Sequence, residues 1–140
     1  MMYCEFFVAG VPQPKGSTRQ VPTARGLRTT SANPKLKAWE KNVADSALAA
    51  LSLKERTALA GKEKTTACAV SIRFFLPLRA GYRHHTMKPD VDKLTRGILD
   101  ALGQFYLDDA QVVEVTASKH FSLGPVAVGA LVRVRVGLPG

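Results

Sequence analysis

Apolar and polar residues follow two different periods along the chain, and these periods separate predicted strands from predicted helices. Strand-type segments are rich in aromatic and β-branched residues, or they alternate apolar with polar residues. In the last of them, Val132 and Val134 face one side while Arg133 and Arg135 face the other. The predicted strands cover residues 3–8, 66–76, 112–122 and 126–136, with a turn at Leu123-Gly-Pro between the last two.

Two main helices are predicted where apolar residues recur every three or four positions. The first begins at Asn33-Pro34, with Asn33 as the N-cap and Pro34 at the first helical position, and it extends to about Leu51. The second covers residues 90–102, which place their apolar side chains on one face, and Gly103 is predicted to end it.

The remaining segments connect these elements into one domain. Residues 10–17 contain two prolines and two glycines, which predict an irregular loop. Residues 25–30 suit a short strand or one arm of a hairpin, and residues 52–61 either continue the first helix or form a second, short one. The predicted fold is therefore α+β, a small mixed β-sheet with two main helices packed on it, as a single domain over residues 1–140.

The charge of the chain indicates a polyanionic partner. Twenty Lys and Arg against eleven Asp and Glu give a net charge of +9. Between Lys15 and Lys41 there are seven basic residues, and Glu40 is the only acidic one. Because phosphates carry much of the affinity in complexes with nucleic acid, DNA or RNA is the favoured partner.

Other classes of protein are disfavoured by composition. No stretch approaches the about 20 apolar residues that a membrane span needs. The apolar N-terminal segment is short and has no basic residue before it, unlike a signal peptide. Cys4 and Cys68 are predicted to be buried free thiols, with one disulfide as the alternative. These features favour a cytoplasmic protein.

The aspartates are concentrated in one part of the chain. Five of the six fall between Asp90 and Asp109. On the second predicted helix, Asp92 and Asp100 share one polar stripe. The pair beginning at Asp108 opens the next strand, and a helix and the strand after it usually lie side by side. We therefore expect this pair to fold back beside the first aspartates.

Converging carboxylates are typical of a site for a hard metal ion. Oxygen-only ligands favour Mg²⁺ or Mn²⁺, which retain several waters and accept phosphate oxygens as further ligands. Such an ion can activate water and polarise a phosphodiester. The pattern therefore predicts hydrolysis of a phosphodiester by a basic protein.

Each of these residues also has a purely structural interpretation. Asp90 suits the N-cap of a helix, and Asp92, Arg96 and Asp100 suit a ladder of i,i+4 salt bridges. The Asp108–Asp109 pair suits a turn. For Asp100 the salt-bridge interpretation is preferred, because it lies two helical turns from Asp92. The prediction of a metal site depends on the conjunction of the others.

Three spaced elements resemble a known family. The chain reads Lys-Pro-Asp-Val-Asp-Lys-Leu from Lys88, then Leu-Asp-Ala-Leu from residue 99, then Asp-Asp-Ala-Gln-Val from residue 108. In this order they closely resemble the RusA family of Holliday junction resolvases, which is frequent in phages and prophages. The resemblance is strongest over residues 88–112 and extends weakly to the loop at residues 10–16 and to Lys119.

The resemblance implies specific roles for the acidic residues. Asp90, Asp92 and Asp109 would hold the catalytic Mg²⁺, with Asp108 as an additional candidate. Family members have a functionally important lysine four residues after the second aspartate, where this chain has Arg96. Arginine keeps the positive charge and can bind a phosphate, but it does not serve as a general base.

The resemblance also implies a homodimer acting on a four-way DNA junction, because two-fold symmetry suits two symmetric cuts. The basic loop is predicted to add affinity for DNA without taking part in the chemistry. His84 and His85 precede the motif and are interpreted as phosphate contacts or solvated loop residues. The predicted DNA contacts are Lys15, Arg19, Lys88, Lys93 and Lys119.

Two other functions compete with a junction nuclease. A non-catalytic DNA-binding module would suit the net charge, but clustered aspartates repel phosphate unless a metal ion intervenes. An Asp-x-Asp phosphatase requires its motif directly after a buried strand, whereas Lys88-Pro89 precedes the motif here. A calcium-binding loop fails because no glycine or distal glutamate follows at the required spacing.

Overall fold

The elements of the fold follow the predicted order. A computed structural model describes residues 1–16, 18–31 and 33–140, with the backbone alone at residues 18–21 and 28–31. Its elements are β1 (Met2–Ala9), β2 (Thr18–Thr23), β3 (Gly26–Ser31), α1 (Leu36–Ala50), α2 (Leu53–Ala60), β4 (Cys68–Leu76), α3 (Val91–Asp100), a 3₁₀ turn (Asp109–Gln111), β5 (Val112–Phe121) and β6 (Gly129–Val136). The α+β prediction is confirmed.

The main sheet is mixed, as predicted. Its four strands lie in the order β1-β6-β4-β5, and β2 pairs with β3 in a separate hairpin. β6 is antiparallel to β1 and β4, whereas β4 and β5 are parallel. Two parallel neighbours need a crossover connection, and α3 lies within it. β5 and β6 follow each other in the chain but are separated in the sheet by β4.

One face of the sheet and the inner faces of the helices form the core. Alternate residues of β1, β4 and β6 are buried, as the period of these strands requires. On the helices the buried positions recur every three or four residues. The most deeply buried large side chains include Phe74, Ile72 and Val134 from the sheet and Val43, Leu94 and Ile98 from the helices.

Both cysteines are free and buried, which confirms the thiol prediction. Burial raises the pKa of the Cys4 and Cys68 thiols, so neither is an activated nucleophile. In the part of the chain that the structure describes, no helix is long and apolar enough to cross a membrane.

Two helix boundaries differ from the prediction. α1 begins at Leu36 with Lys35 as its N-cap, two residues after the predicted N-cap Asn33. The Asn33 Oδ1 accepts from the Lys35 amide at 3.1 Å in the turn that leads into the helix. α3 ends at Asp100 with Ala101 as its C-cap, and Gly103 has no part in ending it. The chain turns there because the following residues, Leu102 and Phe105, enter the core.

Residues 52–61, for which two structures were open, form a separate helix. The Ser52 hydroxyl accepts from the Glu55 amide at 3.1 Å, and the Glu55 carboxylate accepts from the Ser52 amide at 2.9 Å. This reciprocal capping box begins α2 and separates it from α1. For residues 25–30, where a short strand or a hairpin arm was predicted, the structure has a hairpin arm, since β3 pairs with β2.

Candidate active site

Asp90 lies at the N-terminus of α3, where two lysines neutralise it. The residue takes the N-cap position, but its side chain makes no capping hydrogen bond. Instead the Lys88 ammonium lies 3.0 Å from one carboxylate oxygen, and the Lys93 ammonium lies 3.7 Å from the other. These contacts, led by the hydrogen bond from Lys88, lower the pKa of Asp90. The capping interpretation therefore does not describe what this carboxylate does.

Lys119 of β5 fixes the segment that leads into α3. Its ammonium donates to the carbonyl oxygens of Met87 at 2.9 Å and Pro89 at 3.0 Å. Burial lowers the pKa of this lysine, and the nearby charge of Asp90 opposes that shift. The structure thus directs the ammonium of Lys119, a predicted DNA contact, at the backbone beside Asp90.

Replacing Lys119 by methionine should lower the free energy of unfolding by about 1–3 kcal/mol, because two carbonyls lose a charged donor. Urea unfolding of Lys119→Met measures this directly. Lys37→Met, at an exposed position of α1, provides the control and should remain near wild type. Equal stability of the two variants would show that Lys119 does not hold the segment.

The Gly/Pro loop packs against α3. The Lys15 amide donates to the Lys93 carbonyl at 2.9 Å. A side chain at Gly97 would bring its Cβ to 3.1 Å from the Gln13 carbonyl oxygen, so the glycine permits this close approach. The loop therefore carries Lys15 along the helix to Asp100, with which its ammonium forms an ion pair.

Asp100 and Asp109 converge beside Lys15. The pKa of Asp109 is raised by burial first, and then by a side-chain hydrogen bond with Asp100 and by the charges of Asp100 and Asp108, while Lys15 opposes the shift. The hydrogen bond with Asp100 is also the main cause that raises the pKa of Lys15. The second acidic pair therefore returns to α3 at the end that carries Asp100, and not beside Asp90 and Asp92 as the sequence predicts.

The 3₁₀ turn that carries Asp109 is held by Gln111. Asp108 begins the turn by accepting from the Ala110 amide at 2.9 Å. The Gln111 side-chain oxygen accepts from the Leu107 and Asp108 amides at 2.8 and 3.1 Å. Its nitrogen donates to the Glu63 and Thr66 carbonyls at 2.8 and 3.0 Å. Gln111 belongs to the Asp-Asp-Ala-Gln-Val element, but the sequence pattern predicts no role for it.

The predicted ladder on α3 does not form. In the described part of the chain no ion pair joins Arg96 to Asp92 or Asp100, and the partner of Asp100 is Lys15. Arg96 is exposed and lies against the loop, since a Cβ at Gly16 would be 3.1 Å from its Nη1. Asp92 is exposed in the first turn of the helix.

The predicted ligands occupy two ends of one helix. At about 1.5 Å rise per residue, the backbone positions of Asp92 and Asp100 are about 12 Å apart along the axis. Asp90 and Asp92 lie at the N-terminal end of α3, whereas Asp109 lies beside Asp100 at the C-terminal end. Within residues 1–16, 18–31 and 33–140, no group of three or more His, Cys, Asp or Glu is placed to hold a metal ion.

The donor chemistry nevertheless fits a divalent cation. Asp100 and Asp109 are close enough for their charges to interact, and the Lys15 ammonium, paired with Asp100, already acts as a stand-in cation there. Asp90 likewise has two ammonium groups around it. Carboxylates that are paired with positive charge in this way are suitable ligands for Mg²⁺.

A cavity of 410 Å³ opens between the Gly/Pro loop and the N-terminus of α3. Lys88 and Lys93 line it beside Asp90, so positive charge predominates there, and Lys15, whose ammonium pairs with Asp100, lines it from the loop. Such a surface suits the phosphates of a nucleic acid. Its lining residues are Pro14, Lys15, Asn33, Pro34, Lys88, Pro89, Asp90 and Lys93. The side chain of Arg19, a further predicted DNA contact, lies outside the described residues.

The histidines before the motif lie beside β5. The His85 ring contacts the Phe121 ring with centroids 5.4 Å apart, and burial followed by the charge of Lys119 lowers the pKa of His85. His84 is exposed and lines, with His85 and Arg83, a neighbouring cavity of 300 Å³.

Comparison with known proteins decides the family. Residues 10–134 of the 140 match the family described as Endodeoxyribonuclease RusA. The chain belongs to the RusA endodeoxyribonuclease family. The matched residues include the Gly/Pro loop, α3, the 3₁₀ turn and Lys119, so the family pattern covers every element of the candidate site.

One curated relative is similar to part of the chain. The uncharacterized protein YqaN of Bacillus subtilis (strain 168) is 46% identical over 46 residues. That match covers 32% of this chain and 32% of YqaN, so the chain spans about a third of the length of this relative.

The position of Asp90 differs from that of the motif in an Asp-x-Asp phosphatase. A loop at residues 77–89 separates Asp90 from β4, whereas the phosphatase motif directly follows a buried strand.

Proposed function

We propose that this RusA-family protein is a Mg²⁺-dependent endodeoxyribonuclease that resolves four-way DNA junctions by hydrolysing phosphodiester bonds. The observation that carries the proposal is the convergence of Asp109, Asp100 and Lys15 on a helix whose other end presents Asp90 among lysines. A net charge of +9 on the whole chain favours contact with DNA around this acidic centre.

Each element of the site has a part in the proposed reaction. Asp90 and Asp92 would offer ligands for Mg²⁺ at the N-terminal end of α3, and Asp109 would offer one at the other end, where Asp108 adds negative charge beside it. Mn²⁺ can substitute for Mg²⁺. When bound, the metal ion supplies the Lewis acidity that activates water and polarises the phosphodiester. Lys88 and Lys93 place positive charge where a phosphate would approach Asp90.

The proposal extends to the assembly and the cellular role. A homodimer would place two such sites about a two-fold axis, as two symmetric cuts in a junction require. Resolution of branched DNA serves recombination and repair, and a cytoplasmic location in a bacterial or phage-infected cell would give access to that substrate.

A non-catalytic DNA-binding module is the second candidate, favoured by the absence of a three-carboxylate metal group among the described residues. A synthetic four-way junction and a linear duplex of the same arm sequence distinguish the two functions. The nuclease should cut the junction in Mg²⁺, spare the duplex and leave both intact in EDTA. Tight binding of the junction without products in Mg²⁺ would support the module instead.

Arg96 is expected to assist the reaction more than the fold, because its guanidinium is exposed beside the loop and free of the predicted ladder. Arg96→Ala should lower the cleavage rate about tenfold or more, the equivalent of one charge-assisted hydrogen bond to phosphate. Arg96→Lys keeps the charge and should retain much of the activity. A lower melting temperature with unchanged turnover per folded molecule would show a structural role instead.

A further inference from the structure

Lys15 does not have the position expected of a loop lysine that only binds DNA. Its ammonium forms an ion pair with Asp100, and it is near enough to Asp109 for each charge to alter the pKa of the other. Its side chain is 40% exposed and that of Asp100 is 30% exposed. The ammonium is therefore held at the acidic centre while one side of it remains open to solvent.

The backbone around Lys15 is fixed on both sides. The Lys15 amide is bonded to the Lys93 carbonyl, and the preceding Pro14 carbonyl accepts from the Asn33 side-chain nitrogen at 3.2 Å. Asn33 also donates to the Gln13 side-chain oxygen at 3.1 Å. A lysine anchored in this way has little freedom except in its own side chain, which can rotate away from Asp100.

We propose that Lys15 is the built-in counter-cation of the acidic centre, which holds Asp100 and Asp109 together until a divalent cation displaces it toward a DNA phosphate. This inference rests on the proposed function, because it takes the cation to be the one that the nuclease uses. It makes Lys15 a positioning residue instead of a general DNA contact. It also adds Asp100, which the sequence assigned to a salt-bridge ladder, to the groups that face the cation.

Competition between Lys15 and the cation has a measurable consequence without DNA. In Lys15→Met the two carboxylates lose their internal positive charge, so the variant should be less stable without metal and should bind Mg²⁺ more tightly. Because a half-exposed ion pair is a modest interaction, we expect the Mg²⁺ midpoint to fall about two- to fivefold. Lys15→Arg keeps the charge and should retain the wild-type midpoint.

The experiment is a Mg²⁺ titration of thermal stability, repeated by calorimetric titration, on the whole chain without DNA. Lys41→Met is the matched control, because Lys41 pairs with Asp45 on the exposed face of α1 at 2.7 Å. Its Mg²⁺ midpoint should equal that of the wild type. If Lys15→Met does not fold, Lys15→Gln replaces it, since an amide can still donate to Asp100.

A purely structural Lys15 would lower the melting temperature equally at every Mg²⁺ concentration and leave the midpoint unchanged, which would overturn the proposal. Absence of Mg²⁺ binding in both wild type and Lys15→Met would also overturn it. Junction cleavage by the wild type is scored separately. Cleavage with an unchanged midpoint rejects the role of Lys15 alone, whereas a lowered midpoint without cleavage rejects the proposed function alone.

Discussion

Asp109→Asn is expected to lower the rate of junction cleavage in Mg²⁺ by at least about a hundredfold. The carboxamide keeps the shape of the side chain but loses the charge that would hold the cation, and a metal ion contributes several kcal/mol to such reactions. Asp90→Asn and Asp92→Asn should have similar effects. Single-turnover cleavage of a labelled junction gives the rate, and a gel shift in EDTA gives the binding.

The loss of activity should not follow from unfolding. Burial and the neighbouring carboxylates raise the pKa of Asp109, so the folded protein disfavours its charged form. Removing that charge should leave the stability unchanged or higher. Asp45→Asn is the matched control, since Asp45 lies on an exposed face of α1 and pairs only with Lys41 in the described structure. Near wild-type cutting by all three site variants would contradict the assignment of the ligands.

Gln111→Leu is expected to lower the free energy of unfolding by about 2–4 kcal/mol, the largest stability effect at the site. The residue is 5% exposed, and its side chain satisfies four backbone groups, two amides and two carbonyls. Leucine fills the volume but leaves these polar groups without their partner in a buried place, which costs more than an ordinary hydrogen bond contributes. Urea unfolding with a constant m-value measures the change.

Gln104→Leu is the matched control for this substitution. Gln104 makes one hydrogen bond in the described structure, from its nitrogen to the Ala44 carbonyl at 3.0 Å, and its buried side-chain oxygen has no partner there. Its loss should therefore cost about 1 kcal/mol or less. If Gln111→Leu were no more destabilising than Gln104→Leu, the network around the 3₁₀ turn would not be what positions Asp109.

Elements set by local pattern could be predicted from the sequence. The alternation of β6 and the three-to-four residue spacing of α1 reflect burial on one face, so their positions were predicted to within a few residues. The order of the strands in the sheet could not be predicted from these local patterns. The parallel pairing of β4 with β5, which keeps β5 away from β6, depends on contacts between segments far apart in the chain.

The residues of the candidate site likewise fall into those that the sequence could predict and those that it could not. Asp90, Asp92 and Asp109 lie in the spaced elements that resemble the family, so the sequence alone could propose them as metal ligands. The partner of Asp100 could not be inferred, because it comes from a loop near the other end of the chain instead of from the next turn of the helix. Gln111 was missed because a buried polar side chain has no periodic signature.

The most direct test of the account is cleavage of a four-way junction labelled in each of its four strands in turn, with Mg²⁺ or with EDTA. A Mg²⁺-dependent junction resolvase should cut two opposed strands at symmetric positions in Mg²⁺ only, and Asp109→Asn should cut none. A junction that remains intact in Mg²⁺ while it is bound, or one that is cut equally in EDTA, would contradict it.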